Sequence, residues 1–331
     1  MPNLMALRRQ AWGGVQSKLR DLPRRMKPLR NLWVDEPELA EPGPRYKSLV
    51  DVARVDAYRR AIERYVQPEH TVVDVRTGNG LRAMLAARCE PRRLYAVDAS
   101  SDLDTAQWVA CRNGFTGIEF VRADISRFQP PERVDVLLHE LVGDCLFDEG
   151  LIPRMLDARD RLLVPGGRIL PHRFDIFLEP VQLREEARMP FLWDQRLPNV
   201  DFSCLQILRD TLDPTHFTQL IRPQDVERSL CDATPAFTLD LETLRANGLP
   251  RSLELTRPVT HGGRMDGLCL YYRAHFDESL SYDTVPGRPG ACAPVMLLRT
   301  DCRDFARYET IRMEMSLPDL ADITTWRWNF S

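Results

Sequence analysis

The chain has 331 residues, 44% of them hydrophobic and 28% charged, and a net charge of −3. That is the composition of a globular protein with room for two domains. The near balance of charge excludes a global pull toward nucleic acid or an anionic membrane surface, and no apolar run reaches the length of a membrane span.

The first thirty residues are basic, with Arg8, Arg9, Lys18, Arg20, Arg24, Arg25, Lys27 and Arg30 against a single acid, Asp21. They carry no apolar core with a small-residue cleavage site, so no secretory signal is expected. An acidic, proline-bearing stretch from Asp35 to Pro44 reads as a linker, so residues 1–45 are a basic extension and linker, the extension being a solvated segment, a transit peptide, a nucleic-acid arm or a substrate-docking arm. From Tyr46 to Tyr65 the apolar residues Leu49, Val52, Val55, Tyr58, Ile62 and Tyr65 recur at helical spacing.

Short apolar runs then alternate with helical segments. Strands are expected at Thr71–Val75, Leu94–Val97, Ile118–Arg122 and Val134–Leu138. Helices are expected at Leu81–Cys89, Asp104–Asn113 and Met155–Leu163, the last stopping at a Val164-Pro165-Gly166-Gly167 turn. This β-α-β-α rhythm predicts an α/β fold with a doubly wound, Rossmann-like parallel sheet over residues 46–171. After Pro171 the texture changes. Phe174, Ile176 and Leu178 alternate with other residues, as do Ile311, Met313 and Met315, and Trp326, Trp328 and Phe330. Leu268–His275 and Val295–Leu298 also read as strands. Strands without helical partners predict an antiparallel, β-barrel-like domain over 172–331. The eight cysteines are scattered with no CxxC pair, so reduced thiols in a cytoplasmic protein, and no metal site, are expected.

Val72-Val73-Asp74-Val75-Arg76-Thr77-Gly78-Asn79-Gly80 is a strand entering a Gly-bearing turn before a helix. Gly78 and Gly80 let backbone approach a ligand, the helix start offers free N–H donors, and Asp74 is counted with them as part of the cradle. Asp98 ends the next strand, where an acid accepts hydrogen bonds from ribose hydroxyls. The turn lacks the full GxGxxG, since Arg76 and Ala83 hold the outer positions. It therefore suits the single carboxylate of S-adenosylmethionine better than a pyrophosphate. Asp124, after the third strand, is either an acceptor for the adenine amino group or an ordinary strand-end cap.

The segment Leu138-His139-Glu140-Leu141-Val142-Gly143-Asp144-Cys145-Leu146-Phe147-Asp148-Glu149-Gly150 leaves the fourth strand at the edge where such sheets bind ligands. Two carboxylates at one site are costly unless a cation neutralises them, and a guanidinium can donate paired hydrogen bonds to both. Here the chain resembles the protein arginine methyltransferases, whose double-glutamate loop has two acids at the same separation. Ala158 to Pro171, with its Pro-Gly turn and closing proline, is similar as well, and Leu49 to Tyr58 resembles the family's N-terminal helix.

The resemblance implies S-adenosylmethionine as cofactor, with Arg54 on its carboxylate. It implies Glu140 and Glu149 as the acids that grip the guanidinium of a protein or small metabolite. It also implies a homodimer, with a docking arm at 184–198 carrying Met189, Phe191, Leu192 and Trp193. Other readings are a methyltransferase for a different nucleophile, or a binding module that kept the fold. The chain departs from the family in three places. An aromatic motif before Arg54 is missing, Arg76 replaces the first glycine of the turn, and no Thr-His-Trp loop falls near Gly290 to Pro294. Asp51, at the position that normally partners that histidine, is left without it.

Overall fold

The computed structural model describes residues 49, 51–140, 147, 150–188, 196–197, 200–203, 218–286 and 295–331. The basic extension, Glu149 and the apolar residues of the expected arm, Met189 to Trp193, lie outside them. The first continuous element is α1, Val52–Tyr65, which begins at Asp51. The Asp51 side chain accepts the backbone N–H of Arg54 at 3.2 Å, so its role here is that of a helix cap.

The α/β part follows in strict alternation: β1 Thr71–Val75, α2 Leu81–Ala87, β2 Arg93–Val97, α3 Asp102–Arg112, β3 Glu119–Val121, β4 Val134–His139, α4 Leu151–Leu162 and β5 Leu163–Leu170. The strands are parallel in the order β3-β2-β1-β4-β5. β1 lies in the middle and is buried at every residue, as a strand covered by helices on both faces must be. The expected stop at Val164 to Gly167 falls inside β5. Val134 pairs with Leu163 and Val136 with Arg168, so Pro165, Gly166 and Gly167 form a bulge within the strand. Helix α4 starts earlier than its apolar spacing indicated, because Gly150 at φ 68° turns the chain directly into it.

The remaining strands are β6 Arg173–Leu183, β7 Arg196–Leu197, β8 Val200–Asp201, β9 Thr218–Ile221, β10 Val226–Ser229, β11 Phe237–Asp240, β12 Ser252–Pro258, β13 Gly263–His275, β14 Ser281–Asp283, β15 Val295–Phe305, β16 Thr310–Ser316 and β17 Arg327–Phe330. Among the described residues they pair antiparallel, as a seven-stranded sheet built on β6, β13 and β15, a three-stranded sheet β12-β16-β17, and the β7-β8 hairpin. In β16, Ile311, Met313 and Met315 are buried and their neighbours exposed, the period of two seen in the sequence. Strands β7 to β12 and β14 leave no clear alternation in the sequence, since most are short and several mix charged residues with apolar ones.

An aromatic seam joins the two sheet systems. Tyr58 of α1 packs edge-on against Phe276, with centroids 5.0 Å apart, and lies 5.9 Å from Tyr282 of β14. At the same seam the Tyr65 hydroxyl donates to Asp277 at 2.8 Å. Inside the antiparallel sheet β6 carries Glu179, which is 2% exposed. One of its oxygens accepts the Thr234 N–H at 3.0 Å, and the other is buried without a hydrogen-bond partner among the described residues. Burial pushes the Glu179 carboxyl up to about 7, against the weaker pull of the Thr234 amide and Arg257. An unfolded glutamate titrates near 4.5, so between that pH and 7 the native state binds the extra proton and stability falls as pH rises. Glu179→Gln should flatten this slope and be more stable than the parent at pH 8 by roughly 3 kcal/mol. Urea unfolding of both proteins at pH 5 and pH 8 checks it.

Candidate functional site

The carboxyl ends of β1, β2 and β4 form one edge of the parallel sheet, where a doubly wound fold binds its ligand. β1 runs into a turn with Arg76 at φ 51°, Gly78 at 57° and Gly80 at 81°. A side chain at Gly80 would meet the Ala106 methyl of α3 at 2.9 Å, so only glycine lets the turn lie against that helix. Arg76 adopts the left-handed conformation without being glycine, a strain of roughly 1–2 kcal/mol. Its neighbour Thr77 fixes the turn by donating its backbone N–H to Val97 O at 3.1 Å and its hydroxyl to Asp74 at 2.5 Å.

Asp98, beside the turn, accepts the Gly78 N–H at 2.9 Å on one oxygen and the Ser100 N–H at 2.7 Å on the other. Burial pushes this carboxyl up, but the Ser100 and Gly78 hydrogen bonds and the Arg76 charge outweigh it and hold it below the usual range. It is therefore an oriented anion at neutral pH. Asp74, counted from the sequence as part of the cofactor cradle, is completely buried beneath the turn. It accepts the Thr77 hydroxyl and, at 2.8 Å, the Nε–H of Arg82. A carboxylate on a strand covered on both faces has no water to turn to and must be paired inside. Asp74 thus shapes the turn from behind, with its oxygens on Thr77 and Arg82.

Asp124 accepts the Ser126 N–H at 2.9 Å and the Ser126 hydroxyl at 2.7 Å, capping the single helical turn Ile125–Arg127. The strand-end cap is thus the role its geometry displays. These hydrogen bonds, chiefly, hold its carboxyl below the usual range. It borders a shallow pocket with Ser126, Arg127, Pro153, Arg154 and Asp157.

Glu140 follows the last residue of β4 and is paired with two arginines, Arg54 of α1 and Arg82 of α2. Arg82 is almost wholly buried. Its Nε holds Asp74, one terminal nitrogen holds Glu140, and the other donates to the Arg76 carbonyl at 3.0 Å. Burial lowers its pKa, but Asp74 and Glu140 outweigh that and keep it firmly charged. Arg54 is also deeply buried, with its guanidinium 5.7 Å from the centre of the Tyr282 ring. Burial lowers its pKa too, and Glu140 with Tyr282, Tyr272 and Tyr58 raises it well above the ordinary value. The Nε–H of Arg54 is buried without a hydrogen-bond partner among the described residues.

Three further residues, Tyr58, His139 and Phe147, surround the edge. The Tyr58 hydroxyl donates to the His139 carbonyl at 2.8 Å, tying α1 to the end of β4. The His139 Nε2 lies 2.8 Å from the Pro171 carbonyl, which can only accept, so the proton sits on Nε2. Burial lowers this imidazole to about 4. Phe147, within the acidic loop, is 2% exposed and stacks on Phe237 of β11 at 6.3 Å, with Trp326 6.2 Å away. Its own ring is thereby set against the antiparallel strands.

The structure therefore brings Arg54, Gly78, Gly80, Asp98 and Glu140 to one sheet edge, places Asp74 beneath it, and leaves Glu149 outside the described residues. Sequence reasoning passed over Arg82, Tyr58 and Phe147. For Arg82 a signal was available: Asp74 inside an otherwise apolar strand demands a buried cation, and Arg82 lies in the helix that follows.

This combination of a parallel Rossmann-like sheet and a separate antiparallel-strand region, with an acid-bearing loop leaving β4, is the fold of the arginine methyltransferases. A solved structure of the Trypanosoma brucei PRMT1 enzyme–prozyme heterotetrameric complex with AdoHcy aligns with a TM-score of 0.72 at 22% identity, over 84% of this chain and 88% of that one. A crystal structure of PRMT6 with SAH aligns with a TM-score of 0.64 at 20% identity, over 86% and 98%.

In sequence the chain is 31% identical over 186 residues to protein arginine N-methyltransferase 6 of Xenopus laevis, covering 54% of each protein. It is 28% identical over 253 residues to a probable histone-arginine methyltransferase CARM1 of Oryza sativa subsp. indica, covering 73% of this chain and 48% of that protein. The chain spans about half the length of the curated relatives it matches. No family model matches it.

Loss of the Phe147 ring should be costly. Phe147→Ala deletes a buried aromatic ring and should destabilise the protein by about 3–5 kcal/mol, measured as a lowered denaturation midpoint.

Proposed function

We propose that the chain is an S-adenosylmethionine-dependent methyltransferase acting on a guanidinium nitrogen of a protein or small metabolite. The observation that carries this is the position of Arg54. One terminal nitrogen pairs with Glu140 while its buried Nε–H has no partner among the described residues, so the cation has a donor to offer a second anion. The carboxylate of the cofactor is such an anion, and the oriented Asp98 carboxylate fits its ribose hydroxyls. The glycine turn leaves backbone close to the same place. Bound there, S-adenosylmethionine supplies an electrophilic methyl group.

The protein's own residues then do the positioning. Glu140 and Glu149 grip the acceptor guanidinium, turn one nitrogen toward the methyl, and draw off the proton that this nitrogen loses. Holding the partners in line can contribute roughly 7–11 kcal/mol of barrier reduction. The aromatic seam of Tyr58, Tyr282 and Phe276 keeps water from the Arg54 side of the pair, where charge interactions strengthen.

The same reading extends to a cytoplasmic homodimer. Trp108 on α3 is 66% exposed and Val200 on the β7-β8 hairpin is 50% exposed, apolar area that a second copy would cover. Light scattering at micromolar concentrations should give twice the chain mass, and a monomer would refute the dimer.

Two substitutions test the site. Asp98→Ala removes two charge-assisted hydrogen bonds to ribose and should weaken S-adenosylmethionine binding about a hundredfold or more; unchanged affinity by calorimetry would sink the assignment. Glu140→Gln keeps shape but loses charge, and should lower single-turnover methyl transfer to an arginine-bearing peptide about a hundredfold or more. Because it releases Arg54 from a competing carboxylate, it should leave cofactor affinity equal or higher. A near-native transfer rate in this variant would show the loop to be structural only.

A further inference from the structure

We infer that Arg82 is a specificity-determining residue of the acceptor site, a built-in guanidinium that competes with the acceptor for Oε2 of Glu140. This rests on the reading that Glu140 receives the acceptor. The two arginines on Glu140 are not equivalent. Arg54 pairs through Oε1, has an Nε–H without a partner among the described residues, and has a second anion to turn to when cofactor is present. Arg82 pairs through Oε2 and has all three guanidinium nitrogens engaged, on Asp74, on Glu140 and on the Arg76 carbonyl.

Arg82 cannot swing aside, because its departure would strand Asp74, a carboxylate with no exposed surface. It also cannot lose its charge, since Asp74 and Glu140 hold the proton on it. A carboxylate ordinarily accepts a guanidinium as a fork, two parallel N–H bonds to its two oxygens. With one lone pair of Oε2 already taken by Arg82, an acceptor must share that oxygen with an internal cation, so its bond there is the weaker arm of the fork. It also approaches an acid half neutralised by an internal cation. Arg82 therefore sets both the geometry and the strength with which Glu140 holds the acceptor. The residue acts through Glu140 and does not touch the reacting atoms, so it is a positioning residue.

The test uses the full chain and a variant in which Arg82 is removed without stranding its buried partner, Asp74→Asn with Arg82→Met. Asn can still accept from Thr77, and Met fills the stem of the arginine. The probe is Nα-acetylarginine amide. Its binding is read by equilibrium dialysis in the presence of S-adenosylhomocysteine, and its KM by radiolabelled methyl transfer. Freeing Oε2 of the internal cation should tighten acceptor Kd and lower KM about tenfold or more, the gain of an unshared charge-assisted bond. S-adenosylhomocysteine affinity, read in the same dialysis, reports separately on the turn that Asp74 and Arg82 support from behind.

A purely structural Arg82 would instead give weaker or unchanged acceptor binding, and that result overturns the proposal. Should the double variant fail to fold, Arg82→Lys serves. It keeps a cation for Asp74 but cannot fork to Glu140 as well, so KM must fall, and an unchanged KM overturns the proposal. If parent and variants bind S-adenosylhomocysteine but neither bind nor methylate the arginine probe, the guanidinium reading itself fails. If only the variants methylate it, Arg82 has the assigned role.

Discussion

A chain of buried charge, Asp74 to Arg82 to Glu140 to Arg54, holds the working edge of this protein together. It begins under β1, crosses α2, reaches the end of β4 and finishes on α1. Ion pairs of this kind add little net stability, because desolvating four charges offsets most of their attraction. What they supply is position. Each side chain has a partner that only one arrangement of the two helices and two strands can deliver. Losing one member leaves a charge without water or counterion. The turn, the acid after β4 and the helix that covers them are therefore placed as a unit.

The antiparallel strands contribute the far wall of that unit. Tyr282 of β14 lies against Arg54, and Phe276 and Tyr282 pack on Tyr58, whose hydroxyl holds the His139 carbonyl. Phe147 in the acidic loop is set among Phe237 and Trp326. The edge that would bind cofactor and acceptor is thus braced from both sheet systems. A ligand there would feel the antiparallel strands through the aromatic contacts around Arg54, even without touching them.

Two features give the site a character of its own. Arg76 stands in the left-handed conformation where glycine is at ease, and its carbonyl is one of the three ligands of the Arg82 guanidinium. The strained residue and the buried arginine are therefore linked, the turn's shape supplying a hydrogen bond that the arginine needs. The acid after β4, in turn, is compensated by the protein's own cations before any substrate arrives. That is how a carboxylate can sit half-buried at the sheet edge with its charge paired.

Much of this was legible in the residues. The alternation of apolar runs and helical segments marks the parallel sheet, because a strand covered on both faces must be apolar throughout. The period of two in Ile311, Met313 and Met315 marks a sheet with one covered face. Glycines beside an acid-ended strand, and two acids bracketing a loop, announce a ligand edge because each residue type there is costly without a ligand. What only the tertiary structure decided is which charge meets which. Asp74 reads as a cradle residue, yet its side chain faces the interior and binds Arg82. Asp124 reads equally as ligand or cap, and Ser126 claims it. Glu140 reads as an open acid, but Arg54 and Arg82 converge on it from two helices that precede it by more than fifty residues. Local pattern reports burial and turn chemistry, which depend on a few neighbouring residues. The pairing of buried charges depends on where distant segments come to rest, and that is settled only when the sheets and helices pack.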